Sequence, residues 1–236
     1  MNHSTTRFLL TALTLGTGNL QSADFSSDFE NVHDRVWAGE DYWANPMEDW
    51  QIQDGRLVCV RGGTDRNVHL LTFGLDEKPN AAFSMSVRLG LEEGSPKTGS
   101  AGFAIGVIDQ ETRDPRASLL FGKGLTAGVK TNGKLFLGKN IAEKPVKSVK
   151  DLTLRFEAIP KPQDNDYTLR IIAFEGGSKK ELGRLSSEIT KNESLVGNVA
   201  IGCNMEMESA RKGGTKLARF WFSDWKLSGD KVKARP

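Results

Sequence analysis

The chain has 236 residues, 38% of them hydrophobic and 26% charged, a make-up that suits a globular domain able to bury a core without disulfide or metal staples. A formal net charge of +2 asks for neither nucleic acid nor an acidic membrane as partner, and the one mild basic cluster, residues 139–150, reads as a solvated loop. With three histidines and two cysteines, and no His-x-x-x-His or Cys-x-x-Cys spacing, the chain lacks the ligand set of a transition-metal centre.

Residues 1–23 read as an export signal. Arg7 closes a short polar start, Phe8 to Leu20 form an uncharged, mostly apolar run, and Ala23 is the expected residue before cleavage. The run is shorter than the ~20 residues that span a bilayer, and no twin-arginine pair is present. The mature protein is therefore expected in the periplasm or outside the cell. Residues 24–230 read as one domain and 231–236 as a C-terminal tail.

Alternation of apolar and polar residues dominates the rest. Trp50-Gln51-Ile52 and Leu57-Val58-Cys59 flank Asp54-Gly55 as a hairpin. Phe83 to Leu89 and Leu152 to Ala158 each place every second residue on an apolar face. Asn132-Gly133 predicts a type I′ hairpin turn. Tyr167 onward begins a further strand that turns apolar on both faces towards Phe174; Val199, Ile201, Cys203 and Met205 share one face of another; and Lys216 to Leu227 forms an aromatic-rich last strand. No helical pattern of ten residues occurs; Ile141–Val149 could hold a helical turn, but Pro145 interrupts it. About eleven to thirteen short strands with Gly-rich turns predict an all-β, two-sheet antiparallel jelly-roll sandwich. Cys59 and Cys203 both sit in apolar strand-like runs. Two buried free thiols are the favoured reading, and a disulfide is the alternative that export permits.

Catalytic patterns are sparse. Gly133 to Asn140 has P-loop spacing, but Asn140 stands where Ser or Thr would bind Mg²⁺, and the stretch reads as a strand leaving a hairpin. Glu206-Met207-Glu208 approaches the carboxylate spacing of a glycan-cleaving strand, with Arg211 in place of the third carboxylate. Asp224 reads as a structural residue at a bulge. Asp109, Glu111, Asp114 and the Asp164/Asp166 pair carry the oxygens that Ca²⁺ takes, but solvated loops account for the same spacing; no cofactor is expected, with Ca²⁺ left open.

Two stretches concentrate binding chemistry. Arg35 to Trp50 holds Trp37, Trp43, Trp50 and Tyr42 among polar residues, suited to stacking on sugar rings, to filling a partner's pocket or to sealing an end of the sandwich. In Asp65-Arg66-Asn67-Val68-His69-Leu70-Leu71-Thr72, alternation puts Asn67, His69 and Leu71 on one face and Val68 and Leu70 on the other. Arg66, Asn67 and His69 are candidate contacts for a sugar or an anion, and a hydrogen-bonded structural network is the alternative. The candidate site is therefore Trp37, Trp43, Trp50, Arg66, Asn67 and His69, with no catalytic and no metal-ligating residue.

The same stretches carry a family resemblance. Trp37-Ala38-Gly39, Tyr42-Trp43-Ala44-Asn45-Pro46-Met47-Glu48-Asp49-Trp50, the Asp54-Gly55-Arg56-Leu57 hairpin and Asp65 to Thr72 resemble the N-terminal region of large exported bacterial phosphoesterases related to the alkaline phosphatase D family. Gly122 to Val129, Thr131 to Gly138 and the Arg219-Phe220-Trp221-Phe222-Ser223-Asp224-Trp225 run are similar to the same region, so the resemblance spans roughly residues 24–230. It implies a concanavalin A-like sandwich that precedes a metal-binding phosphatase domain. None of that family's metal ligands has a matching position here. The chain is thus expected to be a recognition or accessory module, whether part of a larger enzyme or free-standing, that binds a glycan or a companion phosphoesterase domain. A glycan-cleaving jelly-roll enzyme and a structural scaffold are the alternatives.

Overall fold

The computed structural model describes residues 24–161, 166–189, 195–206 and 216–235. The expected export signal, Asp164 and Glu208 lie outside these residues. In chain order the strands are β1 (Phe25–Ser27), β2 (Tyr42–Asn45), β3 (Trp50–Gln53), β4 (Arg56–Cys59), β5 (Arg66–Leu70), β6 (Phe73–Leu75), β7 (Phe83–Leu91), β8 (Ser100–Ile108) and β9 (Lys123–Lys130). They continue with β10 (Leu135–Leu137), β11 (Asn140–Ile141), β12 (Leu152–Pro160), β13 (Tyr167–Glu175), β14 (Glu181–Ile189), β15 (Asn198–Cys203), β16 (Phe220–Ser228) and β17 (Val232–Ala234). One short helix, α1 (Pro115–Phe121), lies between β8 and β9.

These strands make the predicted antiparallel two-sheet sandwich. An eight-stranded sheet runs β14-β13-β12-β7-β16-β4-β3. β1 joins it on β16 beyond the end of β4: Phe25 to Ser27 pair with Leu227 to Trp225, while β4 pairs with Trp221 and Phe222. A seven-stranded sheet runs β11-β10-β9-β8-β15-β5-β2. The alternation read from the sequence sets the core: Phe83, Met85, Val87 and Leu89 of β7 and Leu152, Leu154, Phe156 and Ala158 of β12 point inward. In register, Phe156 lies between Met85 and Ile171. From the other sheet, Val68, Leu70, Phe103, Ile105, Val129, Val199 and Ile201 complete the same cluster. Cys59 and Cys203 lie in it as buried free thiols.

Four local expectations are revised. The type I′ geometry belongs to the Asp54-Gly55 hairpin, where both residues have positive φ (50° and 68°). At Asn132-Gly133 only Gly133 does (82°), Lys130 N–H bonds the Lys134 carbonyl, and Asn132 Oδ1 accepts from Lys134 N–H, so three residues make the connection. No helical turn forms in Ile141–Val149; the helix is α1, with Pro115 at its first position and the Asp114 carboxylate capping Arg116 N–H at 2.7 Å. Lys216–Arg219 stays outside β16, and the stretch read as a tail holds β17, which pairs with β6. Asp224 does sit at a bulge in β16, with φ 49°.

Trp50 and Arg66 belong to the scaffold. Trp50 alternates inward on β3, is 1% exposed and packs on Phe222 with ring centroids 5.9 Å apart. Arg66 turns away from its neighbour Asn67. Its Nε lies 2.7 Å from the buried Asp49 carboxylate, its Nη1 bonds the Thr64 carbonyl, and its guanidinium lies over Gly63, where a Cβ would collide with it. An ion pair inside a protein matters most when one partner is lost, because the other is left desolvated. Asp49→Ala and Arg66→Ala are each expected to lower unfolding free energy by about 3 kcal/mol, while the double variant loses less than the sum. Urea melts of the four proteins check both points.

Candidate functional site

The inward residues of the seven-stranded sheet are mostly large, and the outward residues of its central strands are mostly small. Register aligns the outward positions in two rows across the strands. One row runs Asn45, Asn67, Gly202, Gly102, Gly128; the next runs Trp43, His69, Ala200, Ala104, Thr126. Because glycine and alanine fill the middle of both rows, the sheet presents a low floor there. Gly102 and Gly128 are held to glycine by backbone approach, since a Cβ on either would lie within 2.1 Å of a carbonyl oxygen on the neighbouring strand. A cavity of about 470 Å³ opens over Ala104 and Thr126 and is walled by Val107, Leu119 and Leu120 of α1, Lys123, Lys139 and Glu206, while Met205 packs over Ala200 and Gly202. α1 is held beside it by the Ser118 hydroxyl, which accepts from Asp109 N–H, and by Asn198 Nδ2 donating to the Pro115 carbonyl.

Two polar side chains at the edge of the floor are incompletely satisfied. Asn67 is 6% exposed and donates from Nδ2 to the Asp65 carboxylate at 3.0 Å, while its Oδ1 has no protein partner. His69 is 3% exposed, and its Nδ1 also has none. A buried polar atom without a partner costs about 1–3 kcal/mol, and both residues line the cavity. Burial, with a smaller contribution from the Arg235 guanidinium, lowers the His69 pKa from 6.5 to about 4. The ring is therefore neutral at physiological pH and offers one donor and one acceptor nitrogen. Arg235 lies just after β17, outside the cavity lining, where it hydrogen-bonds Asn198 Oδ1 and covers Gly74. The cavity also holds the Asp65 and Glu206 carboxylates; Glu206 accepts a hydrogen bond from the Ser100 hydroxyl.

The structure thus brings together three of the six candidates. Asn67 and His69 line the cavity; Trp43, 38% exposed, is outside its lining but is the cross-strand neighbour of His69 on the same face. Trp37 is 48% exposed but lies outside the cavity lining, with the Arg35 guanidinium 5.2 Å from its ring centre. Trp50 and Arg66 are placed in the scaffold, as described above. Asn45, Asp65, Thr126, Lys139 and Glu206 were not among the candidates. The signal for the floor was present in Gly102-x-Ala104, whose alternation with Phe103 and Ile105 marks a strand kept small on its outer side; beyond the register shift Val107 also faces the cavity. Of the residues considered for Ca²⁺, Asp109 accepts from the Thr112 N–H and hydroxyl, and Asp114 caps α1. Among the described residues no group of three His, Cys, Asp or Glu side chains is placed to hold a metal ion.

No protein-family model matches the chain, and no curated protein matches it in sequence. Solved structures do share its fold. An endo-1,3-beta-glucanase from Streptomyces sioyaensis superposes with TM-score 0.57 at 8% identity, covering 88% of this chain and 96% of that one. Basic winged bean lectin, solved with Tn-antigen, superposes with TM-score 0.53 at 9% identity, covering 90% and 99%. Lectin II from Ulex europaeus gives 0.51 at 9%, covering 88% and 99%. The fold is therefore the two-sheet antiparallel jelly-roll sandwich that these structures share.

The buried neutral imidazole has a consequence for stability. The folded-state pKa of His69 is depressed, so its contribution is full above about pH 6.5 and is lost as pH falls towards 4, where the unfolded chain takes up a proton that the folded one refuses. Wild type is expected to lose up to about 3 kcal/mol more than His69→Gln across that window, read from urea melts at a series of pH values.

Proposed function

We propose that this chain is an exported, non-catalytic carbohydrate-binding sandwich that holds a glycan in the cavity on the outer face of its seven-stranded sheet. The observation that carries the reading is the pair of unpartnered polar atoms, Asn67 Oδ1 and His69 Nδ1, at a cavity beside the exposed Trp43 indole. A sugar ring has hydroxyls at its edge and C–H groups on its face. Asn67, neutral His69, Asp65, Asn45 and Glu206 supply hydrogen-bonding groups for the first, and Trp43 a flat apolar surface for the second. Shared fold with a glucanase and with lectins, one of them solved with Tn-antigen, supports carbohydrate as the ligand class.

Binding without cleavage is favoured by the make-up of the floor. The outward positions of β15, β8 and β9 at its centre are Gly202, Ala200, Gly102, Ala104, Gly128 and Thr126, so no carboxylate pair projects from the middle of the sheet, and the two carboxylates at the cavity, Asp65 and Glu206, are engaged by Asn67 and Ser100. A companion phosphoesterase domain, which the sequence resemblance implies, has a separate surface open to it: Val36, Trp37 and Met47 are exposed apolar side chains within the segment that carries that resemblance.

Calorimetry of the residue 24–236 protein against soluble β-1,3-glucan, galactose-bearing oligosaccharides and N-acetylgalactosamine tests the reading. Trp43→Ala, Asn67→Ala and Ala104→Leu, the last filling the floor, are each expected to weaken binding at least tenfold (about 1.4 kcal/mol) with an unchanged circular dichroism spectrum. Folded variants that bind as wild type does would remove the site, absence of binding to any sugar would remove the ligand class, and release of reducing ends by wild type would make the chain a hydrolase.

A further inference from the structure

Cys59 and Cys203 take no part in the cavity, and their placement points to separate chemistry. Cys59 ends β4 in one sheet and Cys203 ends β15 in the other. Both side chains are 0% exposed and belong to the same core cluster. Two sets of neighbours set them opposite each other. Leu57 and Val58 pair with Phe222 and Trp221, so the next register position carries Cys59 beside Phe220. From the facing sheet, Asn204, next to Cys203, donates to the Gly63 and Ala218 carbonyls at 3.0 and 3.1 Å, which brings the end of β15 to the segments that follow Cys59 and precede Phe220. The Cys59 thiol also donates to the Arg61 carbonyl at 3.4 Å.

We propose that Cys59 and Cys203 are a cross-linking site, at which folding in the presence of a disulfide donor forms a bond that staples the two sheets together. The donor is a low-molecular-weight disulfide or a disulfide oxidoreductase. One cysteine thiolate attacks a donor sulfur and displaces a donor thiolate, leaving a mixed disulfide on the chain. The second cysteine attacks the chain-bound sulfur and displaces the other donor thiol. The protein gives up two protons and two electrons, and the donor disulfide is reduced to two thiols. Exchange needs both access and thiolate. In the closed sandwich neither sulfur is exposed, and burial holds the Cys203 thiol well above the usual cysteine range. The bond therefore forms as the sheets close and is afterwards shielded from reductant. It would also anchor the end of β15, from which Asn204 bonds Ser100 N–H and the Gly63 and Ala218 carbonyls and from which Met205 and Glu206 lead to the cavity wall.

The test is to unfold the residue 24–236 protein in reductant and refold it in two buffers, one with oxidised and reduced glutathione and one with excess phosphine reductant. In the glutathione buffer the folded monomer is expected to lose two hydrogens by intact mass, to show no free thiol in denaturant and to yield a peptide joining residues 59 and 203. Because the bond closes a long loop, its Tm is expected to exceed that of the reduced protein by roughly 5–15 °C. Cys59→Ser and Cys203→Ser, read in both buffers, should lack that difference. Natively folded wild type that keeps both thiols in the glutathione buffer, carries only glutathione adducts, or cross-links only between chains would overturn the proposal, and these readings need no variant to fold.

Discussion

The structure depends on a division of labour between the two faces of the seven-stranded sheet. Each of its central strands gives large side chains to the core and small ones to the outside: Phe103 and Ile105 against Gly102 and Ala104, Val199 and Ile201 against Ala200 and Gly202. The inward set stabilises the sandwich through burial of apolar area. Of the outward set, Ala104 and Thr126 line the cavity, and beside them Gly102 and Gly128 approach the neighbouring strand too closely to admit a Cβ without moving a backbone carbonyl. Core and candidate site are thus built on opposite faces of the same strands, and a one-residue slip in register would exchange them.

The edge of that floor runs against the usual rule that buried polar atoms find partners. Asn67 and His69 give up part of their hydrogen bonding, as do Thr72 and the Trp50 and Trp225 indoles in the core, whereas Asn204 uses both ends of its amide and Tyr167 donates to the Ala81 carbonyl. The same burial that leaves His69 Nδ1 without a partner also holds the ring neutral, which suits it to hydroxyl groups better than to an anion. Arg235 reinforces this from beside β17, so the C-terminal stretch contributes to the electrostatics of a site otherwise built by β2, β5, β8, β9 and β15.

Much of the fold was legible because alternation is a local property of the chain. Phe83 to Leu89 and Leu152 to Ala158 face as the period-2 rule requires, and Val68 and Leu70 separate from Asn67 and His69 as predicted. Turn and helix detail was less legible. Asn-Gly and Asp-Gly both supply positive φ, and which of them takes the type I′ form is fixed by how the flanking strands pair. α1 is only seven residues long, too short for a periodic signal, although Asp114-Pro115 was a recognisable start. Residue type also proved a weak guide to exposure in the candidate site. Trp50 and Trp43 sit seven residues apart in one aromatic run, yet one is in the core and the other at the surface, and Arg66 was drawn out of the row it seemed to begin by the carboxylate of Asp49.

By itself, the sequence determined the all-β class, the two-sheet sandwich, the inward and outward sets of its main strands, and Asn67 and His69 as neighbours on one face. These follow from the spacing of side chains along a single strand, which needs no knowledge of what lies beside it. Only the tertiary structure decided that Asn67 and His69 stand at a cavity that opens over Ala104 and Thr126 of two other strands, that Trp43 is the exposed neighbour of His69 on that face while Trp50 is in the core, and that Cys59 and Cys203, 144 positions apart in the chain, are buried in one core cluster. Each of these depends on strand order and on the packing of one sheet against the other. Those are long-range contacts, set by the whole chain folding at once.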